Sequence, residues 1–101
     1  MKAGRGEPIP KRVMKAPRVL LQDLAGEAVL LNLENGFYYG LDGISFRMYQ
    51  LLISSRSVHA AFERLLNEYD VEPGRLRQDL ESLLDHLLEN GLVVRDDNEL
   101  D

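Results

Sequence analysis

The chain has 101 residues, 45% of them apolar and 29% charged, with no cysteine and a formal net charge of −5. That length holds one domain with one modest core, and the balance is that of a globular chain. Zero cysteine excludes a disulfide framework, thiolate metal sites, iron–sulfur ligation and a cysteine nucleophile, and it fits a reducing, cytoplasmic setting. No apolar run approaches a membrane span, and no apolar segment follows the basic N-terminus as a signal peptide requires. The charge is divided. Residues 1–18 carry six cations against Glu7, whereas residues 19–101 carry six arginines against sixteen acids, a body of −10.

Residues 1–16 mix Gly4, Gly6, Pro8 and Pro10 with scattered charge and keep neither a helical nor a strand period, so a flexible basic arm is expected there. From Pro17 the texture changes. Arg18–Gln22 and Glu27–Leu33 are short apolar runs separated by a turn at Gly26. Asn35-Gly36 is a hairpin signal because both residues accept positive φ. Phe37–Leu41 follows, rich in strand-favouring aromatics. These runs predict a three-stranded antiparallel β-meander.

The apolar period then becomes helical. Asp42 is placed to cap a helix carrying Ile44, Met48, Leu51 and Leu52. Ser57 is placed to cap a second, with Val58, Ala61, Phe62, Leu65, Leu66 and Tyr69 on its apolar face. Pro73 suits the first turn of a third, striped by Leu76, Leu80, Leu83, Leu84, Leu87 and Leu88 and closed at Asn90-Gly91. Leu92–Arg95 reads as a short terminal strand, and residues 96–101 as an acidic tail. The fold class is therefore α+β: a meander followed by a three-helix winged helix-turn-helix.

The chemical inventory is thin. His59 and His86 sit on different helices without metal-ligand spacing, so no metal site is expected. Asp79, Glu81, Asp85 and Glu89 on the third helix read as a solvated face. The serines lack a nucleophile-elbow context, and Gly36, Gly40 and Gly43 lack phosphate-loop spacing, so no cofactor is expected and catalysis is the weakest reading. A winged helix raises a DNA-binding regulator as an alternative. Against it, residues 75–90 carry two arginines and four acids, where phosphate contact needs a basic face.

The aromatic strand leaves two readings open. Phe37, Tyr38 and Tyr39 either serve the core and cover the sheet, or line an open sheet edge that accepts a peptide as an added strand.

The segment from Val29 to Leu52, with Asn32, Asn35-Gly36, Phe37-Tyr38-Tyr39-Gly40-Leu41-Asp42 and the Met48–Leu52 helix, resembles the PqqD-like proteins. These are also called RiPP recognition elements, after the ribosomally made, post-translationally modified peptides they serve. Tyr69-Asp70, the acidic third helix and Asn90-Gly91-Leu92 extend the resemblance over about residues 17–95. Asp42 stands where Asn is common, Ser45 replaces a small residue, and Met48-Tyr49 replaces Ile-Trp. Leu31-Asn32-Leu33 with Asn35-Gly36 looks closer to lasso-peptide members than to the PQQ-pathway members, which remain the alternative within the family.

The resemblance implies a non-catalytic module. It would bind the leader segment of a precursor peptide and present it to a maturation enzyme: a leader peptidase, a cyclase or a radical-SAM enzyme. It implies strand addition at Phe37, Tyr38, Tyr39, Gly40 and Leu41. The opposing wall would come from the third helix, with Arg75, Leu76, Asp79, Leu80 and Leu83 as candidates. No nucleic acid and no membrane are expected as partners. A monomer is the expected state, with a dimer as the alternative.

Overall fold

A computed structural model of the chain describes residues 9–96. The first half of the expected basic arm, residues 1–8, and the tail residues 97–101 lie outside the described residues. The elements run β1 (Val13–Lys15), β2 (Val19–Leu24), β3 (Glu27–Asn32), β4 (Tyr38–Leu41), α1 (Gly43–Ser54), α2 (Val58–Glu68), α3 (Pro73–Glu89) and β5 (Val93–Arg95). The order β2-β3-β4 forms one antiparallel sheet, as expected, and three helices follow.

One strand was not anticipated. Val13–Lys15 pairs antiparallel with β5, with Val13 opposite Arg95 and Lys15 opposite Val93. The Ala16 amide donates to the Leu92 carbonyl at 3.1 Å, and the Asp96 amide donates to the Arg12 carbonyl at 2.8 Å. Pro10, Val13, Ala16 and Val19 are buried at every third residue. That spacing matches neither the strand period of two nor the helical 3.6, so local pattern does not reveal it.

The turns carry the hairpins. Ala25 and Gly26 connect β2 to β3 with φ of 58° and 94°. Positive φ at Ala25 costs about 1 kcal/mol, because its Cβ crowds the following carbonyl. The β3–β4 hairpin is present, but its turn differs from expectation. Gly36 alone has positive φ there, 76°. Asn35 instead accepts the Phe37 amide on its Oδ1 at 2.8 Å, and the Gly36 amide donates to the Asn32 carbonyl at 2.8 Å. A side-chain turn does what a second left-handed residue would have done.

The helices begin and end as their cap residues dictate. Asp42 Oδ1 accepts from the Ser45 amide at 3.0 Å, and Ser57 Oγ accepts from the Ala60 amide at 2.9 Å. Glu72 Oε1 accepts from the Arg75 amide at 2.8 Å, with Pro73 opening α3. At the far end of α3, Gly91 takes φ of 68°. Leu92 N–H donates to the Leu87 carbonyl at 2.9 Å and Gly91 N–H to the Leu88 carbonyl at 3.2 Å, a Schellman closure.

The core joins Leu30 and Leu41 of the sheet to Leu51, Leu52, Leu65, Leu84 and Leu87 of the helices, all essentially inaccessible. Into it projects one amide. Asn32 occupies the buried phase of β3 after Ala28 and Leu30, and is 6% exposed. Its Nδ2 donates to the Asn90 and Gly91 carbonyls, both at 3.3 Å, and its Oδ1 accepts from the Glu34 amide at 2.9 Å. The end of β3 is thereby tied to the C-terminus of α3. A buried carbonyl stripped of its donor costs roughly 1–3 kcal/mol. Asn32→Leu is therefore expected to lower the unfolding free energy by about that amount, read from urea midpoints at unchanged slope. Asn32→Asp should do no better than Asn32→Leu, since a carboxylate cannot donate to either carbonyl.

On the opposite surface Arg47 of α1 grips Glu68 of α2, Nε to Oε1 at 2.9 Å and the second guanidinium nitrogen to Oε2 at 2.6 Å. Hydrogen bonding from Arg47 holds the Glu68 carboxyl below its ordinary value. A lowered folded-state pKa contributes stability above the unfolded pKa, and that stability fades as pH falls through the folded one. Glu68→Gln should thus be less stable than the parent at pH 7. Acid titration of both proteins should show the difference closing below about pH 4.

Candidate peptide-binding groove

β4 pairs with β3 alone and forms one edge of the sheet. The ladder's phase follows from one bond: the Asn32 amide donates to the Phe37 carbonyl at 2.8 Å. Hydrogen-bonded and non-hydrogen-bonded pairs alternate from there in an antiparallel ladder. Leu30–Tyr39 and Ala28–Leu41 are then the bonded pairs, and Leu31–Tyr38 and Val29–Gly40 the open ones. Tyr38 and Gly40 consequently turn their amides and carbonyls away from β3, toward the free edge. The side chains sort the same way. Leu41 is buried, Tyr39 is half-buried, and Tyr38 is 70% exposed on the outer face. A Cβ added at Gly40 would meet nothing within 4 Å.

α3 faces this edge. The Tyr39 ring stacks on His86, with centroids 6.2 Å apart and planes 30° off parallel. Beyond the other end of β4, Ile44 shares a small cavity of about 80 Å³ with Met48, Tyr69, Val71 and Leu76. The start of β4 thus lies by the C-terminal half of α3, and its end by the N-terminal half. Strand and helix therefore run in opposite directions, in contact at Tyr39–His86, with the apolar hole between α1 and α3 beyond the end of the strand. Arg75 and Asp79 stand at that hole, paired at 3.7 Å and well exposed.

The expected site residues distribute unevenly. Phe37, Tyr38, Tyr39 and Gly40 lie on or beside the edge, while Leu41 offers it neither its side chain, which is in the core, nor its backbone groups, which face β3. Arg75, Leu76 and Asp79 gather at the hole. Leu83 is 6% exposed and Leu80 is 2% exposed, and Leu80 lines a different pocket. Four residues gathered here were not assigned to the site from sequence: Ile44 and Tyr69 read as helix faces, His86 as a histidine without metal-ligand spacing, and Val71 as part of a link. A signal existed for two. Ile44 follows a helix cap by two residues and is 54% exposed, and Val71 is an exposed apolar residue in a polar link. Among the described residues no group of three or more His, Asp or Glu side chains is placed to hold a metal ion. No helix among them is long and apolar enough to cross a membrane.

Residues 27–93 match the family model described as coenzyme PQQ synthesis protein D (PqqD). The chain belongs to the PqqD family. The match takes in β3, β4, all three helices and the start of β5, and so both walls of the groove. Two solved structures share this PqqD-family fold. One, described as TbiB1 in complex with the TbiA(beta) leader peptide, is 26% identical with a TM-score of 0.74. That similarity covers 87% of this chain and 99% of the other. The second, described as lasso peptide synthetase B1 complexed with the leader peptide, is 25% identical with a TM-score of 0.74, over 82% and 98% of the two chains. A search of curated proteins finds no match.

Proposed function

We propose that this chain is a non-catalytic recognition module. It binds the leader segment of a ribosomally made precursor peptide and delivers it to a maturation enzyme, with a lasso-type peptidase or cyclase favoured. The observation that carries the reading is the unpaired β4 edge, with α3 beside it at Tyr39–His86 and an apolar hole beyond its end. An extended peptide laid there hydrogen-bonds to the outward amides and carbonyls of Tyr38 and Gly40. Its alternate side chains fall into the groove, where the hole beside Ile44 and Leu76 takes one apolar residue. Arg75 and Asp79 supply charge at the mouth, worth little while solvated and more once a peptide covers them. Both structural relatives are leader-peptide complexes, and the lasso preference rests on the second, a lasso peptide synthetase B1.

Strand addition makes a sharp distinction along β4. Gly40→Pro removes an amide that faces the edge and spares the ladder to β3, whereas Gly40→Ala keeps the amide and adds a methyl group in open space. Titrating the leader of the precursor encoded beside this chain into both variants, checked for fold by circular dichroism, should show about tenfold weaker binding for Gly40→Pro and near-parental binding for Gly40→Ala. Equal affinities, or a leader that leaves the amides of residues 37–41 unmoved, would sink the proposal.

A further inference from the structure

α3 has a second working face. Arg77 and Glu81 lie roughly 200–240° around the helix from Arg75, turned away from the groove. There the segment before β1, the start of α2 and α3 enclose a pocket of about 720 Å³. Its apolar lining is Ile9, which is exposed, and Val58, Phe62 and Leu80, which are buried. Its cations are Lys11, Arg12, Arg56 and Arg77, against the acids Glu81 and Asp96. Arg12 is engaged with Asp96 at 3.6 Å, and His59, also at the pocket, stands 3.4 Å from Glu63. Arg77 lies over the Phe62 ring, 4.7 Å from its centroid. Among the described residues, neither Arg56 nor Arg77 has a carboxylate within ion-pairing distance. This basic hollow sits in a body, residues 19–101, whose formal charge is −10.

We propose that the pocket docks an acidic segment of a partner protein. Its carboxylates would pair with Arg56 and Arg77, and an aliphatic side chain would seat against Ile9, the exposed apolar residue of the lining. Charge complementarity argues for acid. Among the described residues no carboxylate neutralises the two guanidiniums, and α2 points the positive end of its dipole at the same hollow, with Ser57 at its cap. The apolar lining argues for a peptide over a phosphate polyanion, which has nothing to bury there. Because pocket and groove occupy opposite faces of α3, both can be filled at once. On the leader-binding reading above, and only on that reading, the partner is the enzyme that receives the leader. The pocket's chemistry stands without it.

The test uses the full chain, isotope-labelled, and a capped hexapeptide of two aspartates, a leucine, a phenylalanine and two glutamates. Amide shifts are expected in residues 56–62 and 77–81, with residues 37–41 still. Binding should weaken severalfold between roughly 50 and 300 mM salt, as the charges are screened. R56E/R77E should weaken it at least tenfold, and both positions are exposed, so the fold should persist. In the same variant, leader titration should still move residues 37–41, which separates failure here from failure of the leader reading. No shift at millimolar peptide, equal binding of a lysine counterpart, or tighter binding of duplex DNA would overturn the proposal. So would a variant ending at Asp96 whose pocket amides move without added peptide, since the occupant would then be this chain's own end.

Discussion

A single buried carboxamide sets the spacing on which this molecule depends. Asn32 spends both hydrogens on the carbonyls that close α3 and its oxygen on the turn that leads to β4. The sheet and the helix have few other direct ties, because the sheet packs mainly through α1. Without that amide the C-terminus of α3 and the β3–β4 hairpin would find their distance by apolar contact alone, which is attractive but carries no direction. With it, the Tyr39–His86 end of the groove is held at a defined width. The approach is close: a side chain at Gly91 would place its Cβ 3.1 Å from the Asn32 amide nitrogen. Glycine at that position therefore serves two purposes, a left-handed backbone and room for its neighbour.

Much of this was legible in the residues. The strand runs, the caps at Asp42 and Ser57, the stop at Asn90-Gly91 and the order of elements follow from local chemistry, and local chemistry is what spacing records. The ordering of Asn32, Asn35-Gly36 and the aromatic strand also carried the resemblance that the family match bears out. What escaped was long-range. β1 is three residues paired with a strand at the other end of the domain, so nothing nearby announces it. Asn32 reads as an interruption in an apolar run until the partner carbonyls are seen. Leu76, Leu80 and Leu83 form one stripe in sequence. Only the packing separates the hole beside Leu76 from the basic pocket beside Leu80.

The division of charge has a different meaning once folded. The cations before residue 19 are not simply an appendage to an acidic body. Lys11 and Arg12 are held by β1 at the mouth of a hollow that α2 and α3 complete with Arg56 and Arg77. The acids of α3 are likewise sorted, with Asp79 toward the groove and Glu81 toward the hollow. A helix that reads as one solvated acidic face presents two surfaces of different character.

The β1–β5 ladder has a consequence for how the domain assembles and yields. It closes a loop of about 80 residues, so its formation has to follow that of the elements between, when the entropy of bringing the ends together has already been spent. It is also short, three residues on each strand, and its release needs no rearrangement of β2, β3 or β4. Its side chains bind it more firmly than its length suggests: Val13 and Val93 are buried with Leu92 in the common core, so parting the two strands would expose apolar surface as well as break the ladder. The two ends of the described chain are thereby anchored in the same core that the sheet and helices share.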